Sequence, residues 1–338
     1  ESLALSLVIV GLTTVAILVG SEWLEEASAK LSVHYGLPPV VQGGIVAAAG
    51  SSFPEFASVV IGALAGAFDL GVGAVVGSAI FNVLVIPAIS VLFSTGHMNA
   101  TRTLVHKETL FYMLAVVVLL LTFALALIYN PTGDELTGNL TRPLVLVPLA
   151  VYGLYLFLQW QDTVDHGSEG TAGTGNVRRQ WAMLLLGLLV ILGAVWLLVE
   201  AVLDLGEAFD VPEFVWGATV VAAATSLPDA VVSVQAADKK RDVASIANVL
   251  GSNIFDLLVV IPVGVLIVGT EPVSFGVTAP MMAALVAATV ALFVTLRTDL
   301  VLSNREAYVL LGLYGLFLAW IVTESAGIVS GLPWPIAP

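Results

Sequence analysis

Ala48-Ala49-Gly50-Ser51-Ser52-Phe53-Pro54-Glu55 sets a carboxylate at the end of a run of small residues, and the design returns as Ala222-Ala223-Ala224-Thr225-Ser226-Leu227-Pro228-Asp229. Each copy continues into a second motif, Gly77-Ser78-Ala79-Ile80-Phe81-Asn82 after the first acid and Gly251-Ser252-Asn253-Ile254-Phe255-Asp256 after the second. The copies are offset by 174 positions (229 minus 55), with no gap from Pro38/Pro212 to Val85/Val259. Gly43/Gly217, Ala48/Ala222, Ser52/Ser226, Pro54/Pro228 and Phe81/Phe255 are identical in that register. The chain is therefore built as two related halves, each with a buried acid motif.

Composition says what surrounds those motifs. The chain is 59% hydrophobic and 11% charged, with mean hydropathy +1.02, whereas soluble domains carry roughly 25% charged residues. It reads as an integral membrane protein in contact with the lipid bilayer, and no cleavable leader is expected, because the apolar run from Leu3 continues as helix. There are no cysteines, so disulfides and thiolate metal sites are excluded. The net charge of −14 argues against nucleic acid, which requires a basic footprint. His34, His97, His106 and His166 stand singly near expected loops and read as interfacial.

A bilayer span takes roughly 20 mostly apolar residues. That length gives an all-α membrane protein of ten transmembrane helices, near 3–28, 37–66, 70–94, 107–129, 142–160, 180–203, 212–237, 243–268, 273–296 and 306–328. The first half is residues 1–160, the second is 179–338, and the Gly- and Thr-rich stretch 161–178 is expected to be a cytoplasmic linker. Ten of the eleven basic residues fall on one side of that frame, leaving only Arg142 on the other. The basic side is expected to be cytoplasmic, with both termini outside and a prokaryotic plasma membrane as the location. Five spans per half is an odd number, so the second half enters the membrane inverted. Inverted repeats with helices broken near the midplane are an architecture of secondary transporters. Glu26 and Glu200, matched in register, read as interfacial.

Three acids lie deep in expected spans: Glu55, Asp229 and Asp256. A carboxylate in the bilayer is costly and reads as functional by default. Ser51 and Glu55 share a helix face at spacing four, as do Thr225 and Asp229, Ser78 and Asn82, and Ser252 and Asp256. Pro54 and Pro228 each remove an N–H, releasing backbone oxygens in the stretches Ala48–Gly50 and Ala222–Ala224. Carboxylates, hydroxyls, carbonyls and an amide form a hard-cation set suited to calcium. Soft metals would want thiolate or imidazole, and neither is supplied there. The hydroxyls also have a plainer use, bonding back to their own helix.

The motif pairs GSSFPE with GSAIFN and ATSLPD with GSNIFD resemble the paired repeats of the cation/calcium antiporter superfamily, specifically the sodium/calcium exchangers. The resemblance covers residues 37–95 and 211–268. It implies a secondary active antiporter, not an enzyme, that exchanges Na+ for Ca2+ by alternating access without a cofactor and works as a monomer. It implies that Glu55 and Asp229, with Ser51 and Thr225, hold calcium and sodium. Ser52, Ser78, Ser226 and Ser252, with the carbonyls of Ala48 and Ala222, look like sodium ligands, and Asn82 and Asp256 look like the central pair. Asp69-Leu70-Gly71-Val72-Gly73 before GSAIFN, and the Pro-Asp of the second copy, are most similar to the potassium-dependent branch. Potassium is thus open as a third ion. Ala224 stands where such exchangers usually have glycine.

Two rivals keep the same acids. A proton/calcium antiporter would use these carboxylates, although the acid motif typical of proton exchangers is absent. An intramembrane aspartyl protease would pair Asp229 with Asp256, which leaves the matched Glu55 and Asn82 without purpose.

Overall fold

The apolar runs form helices long enough to cross a bilayer, and ten-span spacing is kept throughout. The computed structural model describes residues 3–37, 41–94, 96–102, 104–133, 136–164 and 176–325. Among them are nine membrane-length helices and one bent pair. In chain order these are α1 (Leu3–His34), α2 (Ile45–Ser51 with Phe53–Leu64), α3 (Phe68–Phe93), α4 (Leu104–Tyr129) and α5 (Arg142–Gln161). The second half supplies α6 (Val177–Phe209), α7 (Glu213–Asp238), α8 (Asp242–Val268), α9 (Phe275–Arg297) and α10 (Asn304–Ser325). Helices α1 and α6 run to 32 and 33 residues, or about 50 Å at 1.5 Å per residue. A hydrocarbon layer is about 30 Å thick, so both must tilt or project beyond it.

Burial sorts the helices into core and periphery. The most apolar windows of α3, α8 and α7 are 78%, 67% and 61% buried, against 22% for α1, α5 and α10. Small residues permit this close packing. A Cβ added at Gly217 would lie 2.1 Å from the Leu70 carbonyl oxygen, and one at Gly77 would lie 2.3 Å from that of Ala218. Helices α3 and α7, one from each half, are thus in backbone contact. At the edge, α1 crosses α6 where a Cβ on Gly187 would meet the Gly20 carbonyl oxygen at 2.7 Å.

Four short strands display the inversion. β1 (His97–Asn99) pairs antiparallel with β4 (Val301–Ser303), and β2 (Thr137–Leu140) pairs with β3 (Glu271–Ser274). β1 precedes α4 and β3 precedes α9, the matching helix of the second half; β2 precedes α5 and β4 precedes α10. Each ribbon therefore takes one strand from each half. One ribbon follows α3 and the other follows α8, so they cap opposite ends of the bundle. The sequence reading leaves three of these segments between spans and starts the ninth span at 273, inside β3; the pairing joins strands far apart in the chain and leaves no local signature.

The helices are interrupted where the repeats carry their motifs, and unequally. Wide π-helical turns, which often mark functional sites, occupy Gln42–Ala47 and Gly217–Val221, just ahead of the two small-residue runs. A further π turn begins at Asp256. At Ser52 α2 bends by 60°, whereas α7 continues as helix through Pro228. Gly50 stands where the second copy has Ala224, and glycine weakens a helix by about 1 kcal/mol relative to alanine. The expected linker begins inside α5, whose helix extends to Val164. Residues 165–175, most of that linker, lie outside the described residues, as does His166.

Candidate functional site

The π turns and the bend aim the motif residues of α2, α3, α7 and α8 at the middle of the core. Glu55 and Asp229 retain 1% and 2% exposure, and Asp256, Asn82, Ser52, Ser78 and Ser226 retain none. Ser78 Oγ donates to Glu55 Oε1 at 3.3 Å and shares a 2.7 Å hydrogen bond with the Ser226 hydroxyl. One turn further along α3, Asn82 Nδ2 donates to Asp229 Oδ2 at 3.2 Å and to Asn253 Oδ1 at 2.9 Å. A single face of α3 therefore touches the acid of its own half and the acid of the other. The charges of Asp256 and Asp229 both act on Glu55, and that of Asp229 acts on Asp256.

The site is rich in acceptors and short of donors. Glu55 Oε2, Asp229 Oδ1, both oxygens of Asp256, Asn82 Oδ1 and Ser52 Oγ are buried without a hydrogen-bond partner among the described residues. Ser52 lies beside Asp256. A buried acceptor lacking a donor costs about 1–3 kcal/mol, more when charged. Hard cations satisfy such oxygens, and calcium accepts six to eight of them in flexible geometry. Among the described residues no three acidic or imidazole groups close on a single point. The acids would thus share an ion with hydroxyl and amide oxygens instead of forming an all-carboxylate cage.

Other expected ligands bond to their own helices, although Thr225 also lies beside Glu55 and Ser252 beside Asp229. Ser51 Oγ donates to the Ala48 carbonyl at 3.3 Å, Thr225 Oγ1 to Val221 and Ala222 at 3.1 and 3.3 Å, and Ser252 Oγ to Val249 at 3.3 Å. The Ala48 carbonyl also accepts the Ser52 N–H at 3.0 Å. The oxygens that the prolines deprive of a donor are those of Gly50 and Ala224, four residues upstream. Phe53, Phe81 and Phe255 pack against Phe56, Tyr314 and Tyr152. His34, His97 and His106 are exposed at the end of the bundle that carries the basic residues.

Sequence reading passed over Asn253, Asn248, Tyr112 and Glu25. Asn253 donates to the Ala79 carbonyl and to the Tyr112 hydroxyl, so it ties α8 to α3 and α4. Ala79 is also its partner in the repeat register, and that mismatch inside a quoted motif was the available signal. Asn248 interacts with Asp229.

A cavity of about 620 Å3 leads toward this centre from the basic end of the bundle, with Ser51, Pro228 and Asn248 among its lining. At the opposite end, a second cavity of about 440 Å3 is lined by Asp204, Glu207, Asp210 and Glu213, where α6 runs into α7.

Residues 5–161 and 179–323 match the sodium/calcium exchanger protein family. The chain belongs to that family. It is 27% identical over 285 residues to the inner membrane protein YrbG of Escherichia coli, covering 80% of this chain and 81% of that one. Over 91 residues, 27% of this chain and 15% of the relative, it is 41% identical to sodium/potassium/calcium exchanger 4 of Mus musculus. The solved sodium-calcium exchanger NCX_Mj aligns with TM-score 0.63 at 25% identity, covering 94% of this chain and 98% of that one. An H+/Ca2+ exchanger, CAX, shares the fold with TM-score 0.70 at 16% identity, over 96% of this chain and 87% of that one. Family and fold make the chain a membrane transporter of the cation/calcium antiporter type, with two inverted five-helix repeats.

Proposed function

We propose that the chain exchanges sodium for calcium by alternating access, with both ions competing for the pocket between α2, α3, α7 and α8. What supports this is the set of orphaned oxygens drawn from both halves around Ser78 and Asn82. Glu55 and Asp229 supply two negative charges, which one calcium or two sodium ions neutralise. Asp256 stands beside them, and three bare carboxylates in a low dielectric repel strongly, so a third cation or a proton accompanies it. Potassium at Asp256 is the finer reading; the short match to a sodium/potassium/calcium exchanger favours it. Ser51, Thr225 and Ser252 join the ligand set by turning away from their own carbonyls, and Ser52, Ser78 and Ser226 by turning their oxygens inward.

A protein whose site is empty and charged resists rearrangement in the membrane, because moving an uncompensated carboxylate through the core is costly. Filling the site removes that penalty, which couples the two ion flows. The loaded pocket then closes toward the basic face and opens on the other as α1 and α6 slide across the core. The basic face is the cytoplasmic one, on the distribution of Lys and Arg, and one chain suffices for transport.

The test is calcium flux in proteoliposomes with internal sodium, potassium and pH varied independently. Calcium movement driven by a sodium gradient, and lost in Glu55→Gln and Asp229→Asn, is the expected result. Flux driven by pH with no sodium requirement would make the protein a proton/calcium antiporter using the same carboxylates.

A further inference from the structure

We propose that Glu25 is a loading carboxylate, which holds a divalent cation in the vestibule at the basic face before it passes to Asp229. The proposal rests on the transport reading above and adds a second cation position to it.

Glu25 lies on α1 in the wall of the 620 Å3 cavity, between the more exposed Glu22 and Glu26 of the rim and the floor formed by Ser51 and Asn248. Its Oε1 is buried with no hydrogen-bond partner among the described residues. The charge of Asp229 reaches Glu25. Asn248 lines the same cavity and also interacts with Asp229, while its Nδ2 donates to Ser233 Oγ at 3.3 Å. Asp229 Oδ1, almost wholly buried and equally unpartnered, ends the line. An ion descending from Glu25 therefore meets oxygen at each step.

The repeat supplies a control for the plainer reading, that the fold needs an acid here. In register, Glu25 corresponds to Val199 and Glu22 to Trp196 (each offset by 174, as 199 minus 25). Val199 is fully buried in an apolar cluster. The architecture thus accepts a hydrocarbon at this position, and the acid is an addition on one face alone. Glu26 and its counterpart Glu200 serve other ends: Glu26 pairs with Lys30, and Glu200 accepts the Trp196 indole N–H at 2.7 Å. Gly50 places α2 against this part of α1: a Cβ there would stand 3.3 Å from Ser28 Oγ and 3.7 Å from Glu25 Cγ.

The chemistry suits a divalent ion in transit. A single carboxylate with an amide and water nearby gives weak, exchangeable coordination, which calcium tolerates because its geometry is flexible. A charged group in a low-dielectric cleft also concentrates cations at its mouth. On the other face Val199 and Trp196 occupy the mirrored positions, and the acids there, Asp204, Glu207, Asp210 and Glu213, line a separate cavity nearer the end of α6.

The experiment compares half-saturating calcium at the two faces, using right-side-out and everted vesicles holding wild type or Glu25→Gln. The expected result is a rise of about tenfold at the vestibule face, equivalent to ~1.4 kcal/mol, with the value at the opposite face unmoved. Glu25→Asp, which keeps the charge, is expected to recover most of the loss. An unchanged value at the vestibule face, an equal shift at both faces, or no recovery in Glu25→Asp would overturn the proposal. So would a Glu25→Gln chain that cannot be recovered folded, since the acid would then be structural. Glu55→Gln run in parallel separates the two ideas: continued calcium flux in that variant defeats the transport site itself, whatever Glu25 does.

Discussion

Asn82→Ala is the substitution that probes the junction between the halves most sharply. Asn82 Nδ2 donates to the carboxylate of Asp229 at 3.2 Å and to the neutral Asn253 amide at 2.9 Å. A hydrogen bond to a charged group is worth about 1.5–3 kcal/mol and a neutral one about 0.5–1.5 kcal/mol, so the two together come to about 2–4.5 kcal/mol. Asn82 is fully buried and Asp229 nearly so. In the absence of calcium, Asn82→Ala should therefore lower stability by about that amount, read from reversible unfolding in mixed micelles through the seven tryptophans. A cycle with Asp229→Asn should return a coupling of about 1–2 kcal/mol, because the charge that strengthens the bond is removed. A loss below about 0.5 kcal/mol, or no coupling, would refute the claim that Asn82 bridges the two acid motifs.

The same contacts yield further expectations. Gly217→Ala forces a methyl to 2.1 Å from the Leu70 carbonyl oxygen, so α3 and α7 must part; overpacking of this kind costs typically 1–3 kcal/mol, and a thermal melt equal to wild type would contradict the close crossing. Ser78→Ala removes the hydroxyl shared by Glu55 and Ser226; at about 1 kcal/mol for one hydrogen bond, half-saturating sodium should rise about fivefold in flux assays, and an unchanged sodium dependence would place Ser78 outside the ligand set.

The parts of the fold written in the sequence are those with local cause. Ten apolar runs give ten spans, and the fixed register from Pro38/Pro212 to Val85/Val259 gives the duplication. The acids of the centre were legible because Glu55, Asp229 and Asp256 stand out against apolar surroundings. Glu25 was passed over although it lies inside the first run, because its neighbour Glu26 has a register partner and Glu25 has none. Asn253 was hidden for a related reason: its partners, Asn82, Ala79 and Tyr112, come from α3 and α4, and only packing brings them together. The bend at Ser52, absent at Ser226, depends on small differences between near-identical motifs. Strand pairing such as His97 with Ser303 joins distant loops and has no local marker.

Calcium binding to the purified protein is the most direct measurement of the central claim that acids from both halves form one hard-cation pocket. Titration with calcium should saturate in the wild-type protein, sodium should compete with it, and Glu55→Gln and Asp229→Asn should each weaken binding by a hundredfold or more, about 2.8 kcal/mol. Calcium affinity that survives either substitution, or that ignores sodium, would contradict the account.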